Sequence, residues 1–168
     1  MRRFPWEFDR SRYSDNYLVQ RVSEDDVQVG IIAELEFFRI DVIVIDAGMK
    51  RARGRMAAIG ASRGIELREL RAISKFTTGG GIPAGFSDLH ATLAPHGVSL
   101  YVEVKAPAWI DPDKPSRIIR EAGTATEDQL AFLDSKHARG AIVMVAWSVD
   151  DVLRTLGDRA EKNRSALL

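Results

Sequence analysis

Cysteine is absent from the 168 residues, which excludes disulfides, thiolate zinc sites and thiol catalysis and leaves the cytoplasm as the default compartment. Net charge is absent as well. The 24 Lys and Arg balance the 24 Asp and Glu, so no overall basicity announces a nucleic-acid partner. The longest apolar runs, around IDVIVIDAGM and AIVMVAW, fall far short of the ~20 residues that span a bilayer, and no membrane partner is expected. Two arginines open the chain without an apolar stretch behind them, so no signal peptide is expected. Histidine is scarce, three in all, and no His-Glu-x-x-His spacing occurs, which argues against a zinc hydrolase. The glycine-rich FTTGGGIPAGF is followed by no Gly-Lys-Ser/Thr and does not match GxGxxG, so it is not a phosphate loop.

What remains is an ordinary soluble composition, 45% hydrophobic and 29% charged, in a chain long enough for one domain with a proper core. Residues 1–22 hold Phe4, Trp6, Phe8, Tyr13 and Tyr17 without a clean period and are expected to form an N-terminal arm packing on the body or on a partner. Ser23 then opens a helix, with Asp26 three residues on and acids in the first turn, where the dipole favours them. Val27, Ile31, Leu35 and Phe38 make its apolar stripe. The spacing predicts a β-branched strand in RIDVIVIDAG, a proline-rich loop in PAWIDPDKPSR and a capped helix in TATEDQLAFLDSKHARG closed by Gly140. It predicts a buried strand in AIVMVAW, a short helix capped by Ser148, and a frayed charged tail over 157–168. That order implies an α/β domain over 23–156 with a mixed sheet.

Charge is uneven along the chain. From Ala47 to Lys75 eight basic residues face two acidic ones. A segment with an excess of six suits a phosphate backbone, and equally a solvated helix face. Lys50, Arg51, Arg53, Arg55 and Lys75 are its candidate nucleic-acid contacts, and IELRELRAISK within it has helical spacing.

The stretch SDLHATLAPHGVSLYVEVKAP reads as a β-hairpin. If Ala94 to Gly97 form a four-residue turn, Leu93 faces Val98, His90 faces Tyr101 and Asp88 faces Glu103. Strand periodicity places Lys105 on the same side, with Leu89, Ala91, Leu93, Val98, Leu100, Val102 and Val104 on the core side. Opposed carboxylates with Cβ atoms ~5 Å apart destabilise one another. A divalent cation resolves the conflict, since hard ions take carboxylate oxygens and phosphate. Such an ion can activate a water against a phosphodiester, with Lys105 a point charge beside it. The competing reading is a wet sheet face with a surface salt bridge.

The Gly-x-x-Asp strand, the Glu-x-Lys strand and the following helix with its glutamine resemble the PD-(D/E)XK nuclease superfamily. In its VRR-NUC (virus-type replication-repair nuclease) branch the similarity covers roughly 85–156. Ser87 stands where the motif usually has proline, a position without a chemical role. The resemblance implies a restriction-endonuclease-like α/β core, a mixed β-sheet flanked by helices, and metal-dependent cleavage of DNA akin to Holliday-junction resolvases. It implies Asp88, Glu103 and the Val104 backbone carbonyl as ligands of Mg2+ or Mn2+, and Lys105 as the group that positions the attacking water. Gln129 would orient Lys105 or the substrate, and Glu24 or Asp25 would be an outer acid with Gln28 beside it. His90 would support the site from behind or merely sit on the hairpin. Branched or duplex DNA, a homodimer and a cytoplasmic location, host cytoplasm if phage-encoded, complete the expectation. The rival from another class is a non-catalytic DNA-binding or phage assembly protein that keeps the fold. The intact Asp/Glu/Lys/Gln set argues against it. A nucleotide-binding α/β enzyme would need a phosphate loop after the first strand, and IDAGMKRARGR supplies none.

Overall fold

The computed structural model describes residues 6–45 and 86–165. The basic segment and its five candidate contacts, the helical spacing in 65–75 and the glycine-rich connection lie outside them.

A four-stranded mixed sheet divides the domain into three layers. Its order is β1 (Val42–Val44), β2 (Leu89–Leu93), β3 (Val98–Val104) and β6 (Ile142–Ala146). The first two pairings are antiparallel and β3 to β6 is parallel. A parallel pair requires a crossover, and α3 (Glu127–Ala138) supplies it. The hairpin register follows the turn as expected, with Leu93 on Val98, His90 on Tyr101 and Leu89 on Val102.

On one face Leu89, Ala91, Leu100, Val102 and Val104 meet Val27, Ile31, Ile32 and Leu35 of α2 (Glu24–Phe37) and Val152 of α4 (Val149–Ser165). Helix α2 begins at the expected capping box, in which Ser23 and Asp26 bond each other's backbone N–H; such a box satisfies two otherwise orphaned donors. Gly30 lets α2 and α4 approach closely, since a Cβ there would stand 2.9 Å from Val149 Cγ2. The expected stripe needs one correction. Phe38 is 54% exposed, because the helix ends at Phe37 and the chain turns away through Arg39 at φ 58°; Ile32 takes its place in the core.

The opposite face is buried too. There α3 contributes Leu133, Leu130 and Phe132, and the N-terminal residues contribute Tyr13, Leu18, Trp6, Phe8 and Tyr17. The arm is laid onto the body by its aromatics, with Tyr13 stacked between Phe8 at 4.7 Å and Tyr17 at 6.0 Å. It carries a 3-10 turn (Arg10–Arg12) and a short helix α1 (Asp15–Leu18). Two further corrections concern the second half. The proline-rich stretch is not all loop: Trp109–Ile110 (β4) and Ile118–Arg120 (β5) pair as a small ribbon, with Ile110 fully buried. Helix α4 does not stop at the glycine but runs through Gly157 to Ser165, since an isolated glycine costs a helix only ~1 kcal/mol. Among the described residues no helix is long and apolar enough to cross a membrane.

Candidate metal centre on the hairpin

Glu103 lies at the C-terminal end of β3 and is fully buried. The wet-face reading of the hairpin therefore fails, because α3 and the arm cover β3 where its acids and Lys105 point. Asp88 stands one residue ahead of β2. The ladder between β2 and β3 has ended there, which would orphan the backbone N–H of Val104. Asp88 satisfies it, with Oδ2 accepting from Val104 N at 2.8 Å. In an extended strand a residue's N–H and C=O point to the same edge, so the Val104 carbonyl is directed to the Asp88 side as well.

The Asp88 and Glu103 carboxyl groups meet. Burial first, then the charge of Asp88, push Glu103 up to about 8 against the pull of Lys105. Lys105 Nζ donates to Glu103 Oε1 and forms a buried ion pair with it. Burial alone would lower the Lys105 ammonium. The hydrogen bond from Glu103 and the charges of Glu103, Asp88 and Glu24 outweigh that and raise it.

Gln129 also donates, through Nε2, to the same Oε1. Its orientation follows from the N-terminus of α3. Thr126 and Gln129 form a capping box in which Gln129 Oε1 accepts from Thr126 N at 2.8 Å; with the carbonyl end engaged, the amide end must face Glu103. Gln129 thus grips the carboxylate that grips the lysine. Two donors converge on Oε1, while Glu103 Oε2 is buried without a hydrogen-bond partner.

Of the two acids of the first helix, Glu24 is the one whose electrostatic neighbours include Lys105 and Asp88. Its carboxyl lies near the Ala106 backbone. Crowding by the protein is the largest influence and raises its pKa, although the residue stands at the solvent-exposed rim. Successive helical residues diverge by about 100°, which separates Asp25 from that position. Gln28 follows Glu24 one turn on, on the same face of α2.

Gly123 was not foreseen. Its N–H donates to Ala106 O at 2.9 Å and its carbonyl accepts from Trp147 Nε1 at 2.8 Å. A Cβ at this position would lie 3.3 Å from Lys105 Cβ and 3.4 Å from its Cδ, so the glycine backbone forms a wall along the lysine stem. His90 is stacked on Tyr101 at 4.5 Å, which places it on the hairpin face behind the carboxylates. His96 and His137 are exposed.

Among the described residues no three of His, Cys, Asp and Glu form a ready-made metal-ligating group. The donor set suits a smaller demand. Magnesium keeps several waters and is usually held by one or two carboxylates, and the unpartnered Glu103 Oε2 beside Asp88 is a donor of that kind. Comparison of the chain with protein-family models, with curated proteins and with solved structures yields no match in any of the three.

Proposed function

We propose that this protein is a Mg2+- or Mn2+-dependent DNA endonuclease of the PD-(D/E)XK type, close to the VRR-NUC branch. Branched, junction-like DNA is its expected substrate, and its expected setting is replication, recombination or repair. The observation that carries the reading is Glu103, a fully buried carboxylate with one oxygen unpartnered, set among Asp88, Lys105 and Gln129. A structural acid of that burial would have both oxygens satisfied. The element order of α2, β1 to β3, α3 and β6 around the hairpin agrees with a restriction-endonuclease-like core.

Asp88, Glu103 and the Val104 carbonyl would hold the ion. Bound there, the ion would supply an acidified water and neutralise charge on a phosphate oxygen. The chain's own groups do the remainder. Gln129 and Lys105 hold Glu103 in one rotamer, so the free oxygen keeps a constant aim. The Lys105 ammonium, steadied along its stem by Gly123, stands ready to hold the attacking water or a phosphate oxygen. The water adds to phosphorus, the bond to the leaving sugar oxygen breaks, and that oxygen takes a proton. Glu24 at the rim adds negative charge that favours a cation. Lys50, Arg51, Arg53, Arg55 and Lys75 would neutralise backbone phosphates, a contribution that weakens steeply with salt. A homodimer in the cytoplasm, host cytoplasm if phage-encoded, is the natural setting for cutting two strands.

The test is cleavage of branched and linear DNA in Mg2+, in Mn2+ and in EDTA. Metal-dependent cutting that disappears in Lys105→Ala is expected. Absence of cutting on every DNA and RNA form with every divalent ion overturns the proposal, and binding without cutting transfers the protein to the non-catalytic DNA-binding class.

A further inference from the structure

The second face of the sheet continues past the carboxylates. Ser99, Tyr101 and Glu103 alternate along β3 and share that face. Helix α3 crosses it with Gln129 at Glu103 and Lys136 above the rings of Tyr101 and Phe132, 5.3 and 5.0 Å from their centroids. Beyond Lys136 the hairpin turn and the end of α3 border an open pocket of about 360 Å³, whose lining includes His96, Ser99, Tyr101, Lys136 and Arg139. No carboxylate lines it. Among the described residues neither Lys136 nor Arg139 has an acid within ion-pair distance. The dipole of α3 accounts for basic residues in its last turn. It does not account for their joining a hydroxyl and an imidazole around a concavity free of negative charge.

Two rulers locate this pocket. Four residues of strand separate Ser99 from Glu103, ~13 Å at the usual rise. Two helical turns, ~10 Å, separate Gln129 from Lys136.

We propose that this pocket binds a backbone phosphate of the DNA strand being cut. At ~10–13 Å from Glu103, it lies within a few phosphates of the scissile bond. The location of that bond rests on the nuclease reading; the anion chemistry of the pocket does not. Arg139 offers a planar fork matched to phosphate oxygens, Lys136 a point charge, and Ser99 a hydroxyl donor. The pocket sets how much duplex must extend on one side of the cut.

The decisive variant is Arg139→Glu in the full chain. Arg139 is exposed, so only a small drop in melting temperature is expected, from the reversed charge at the C-terminus of α3. With 15N-labelled protein, inorganic phosphate should shift the amides of Gly97, Ser99, Gly140 and Ala141, and the variant should abolish those shifts. In cleavage, the variant should raise KM several-fold at unchanged kcat, and the salt slope of DNA binding should fall by about one. A duplex too short to reach the pocket should be cut equally by both proteins. Shifts absent at those amides, or DNA binding and KM indifferent to Arg139→Glu, overturn the proposal; phosphate shifts without a DNA effect would assign the pocket to a free anion instead. A chain that cuts nothing yet binds DNA through Arg139 supports the pocket and overturns the nuclease reading, whereas cutting indifferent to Arg139→Glu does the reverse.

Discussion

Glu103 near the end of β3 and Asp151 in the first turn of α4, just after the neighbouring β6, are both buried acids, 0% and 3% exposed, and the fold treats them in opposite ways. Asp151 is saturated. Its Oδ2 accepts from Tyr13 Oη at 2.7 Å, Trp147 N at 2.9 Å and Ser148 N at 3.0 Å, and its Oδ1 accepts from Arg12 at 3.1 Å. Burial and that acid raise the Tyr13 phenol beyond any ordinary range and push Tyr17 up to about 12, so both stay neutral and keep their donors. Glu103 has two donors crowded on one oxygen and none on the other. The first acid is a rivet between the N-terminal arm and the start of α4. The second is a buried carboxyl left incomplete, a condition rare for an acid of purely structural use.

Exchanging each acid for its amide should separate the two roles. In Glu103→Gln, cleavage should fall on the order of 10²–10⁴-fold, the several kcal/mol a held metal ion supplies to the transition state, while the change in stability stays small, because Asp88 and Glu24 remain as counter-charges for Lys105. Single-turnover rates and urea unfolding read both quantities. Asp151→Asn should do the opposite. It leaves Arg12 without its partner and costs about 3–5 kcal/mol, as does breaking other buried pairs, while the folded fraction retains its specific activity in the cold.

The same contrast predicts a pH dependence. Glu103 binds its proton more tightly folded than unfolded, so its contribution to stability is complete below pH 4.5 and is lost as pH rises to about 8. Lys105 is raised from 10.5, so its contribution is constant across that window and is lost only above it. The metal-free protein should therefore lose stability between pH 5 and 8, by an amount on the order of a few kcal/mol, read as a falling melting temperature. Glu103→Gln should flatten that slope, and Mg2+ or Mn2+ should restore stability at pH 8, since ligands bind cations deprotonated. A slope unaltered in Glu103→Gln would assign the effect elsewhere. The smallest effect belongs to Thr126→Ala. Loss of the cap should cost ~1 kcal/mol, and release of the Gln129 carbonyl end should lower kcat several-fold through a mobile Glu103. A stability loss without a rate change would confine the box to helix capping.

Much of this was legible locally. The turn APHG sets the hairpin register, so Asp88 and Glu103 could be matched by counting; both capping boxes follow from residues three apart. The ribbon β4–β5 was hidden because its pairing is held by distant groups, with Arg120 donating to Val22 O at 2.7 Å and Trp109 to Val19 O at 3.2 Å. The length of α4 was hidden behind a glycine that weakens a helix without ending it.

The division has one physical cause. Periodicity, turn chemistry and capping act within a few residues, so the sequence by itself determined the order of α2, β1 to β3, α3, β6 and α4, the face on which Asp88, Glu103 and Lys105 stand, and the starts of those three helices. Burial and partnership depend on which surfaces close over which. Only the tertiary structure decided that the polar face is covered, that Glu24 reaches Ala106, and that Gln129 turns its amide to Glu103. It also decided that Asp151 is completed by Arg12 and Tyr13 from the far end of the chain while Glu103 is left with a free oxygen.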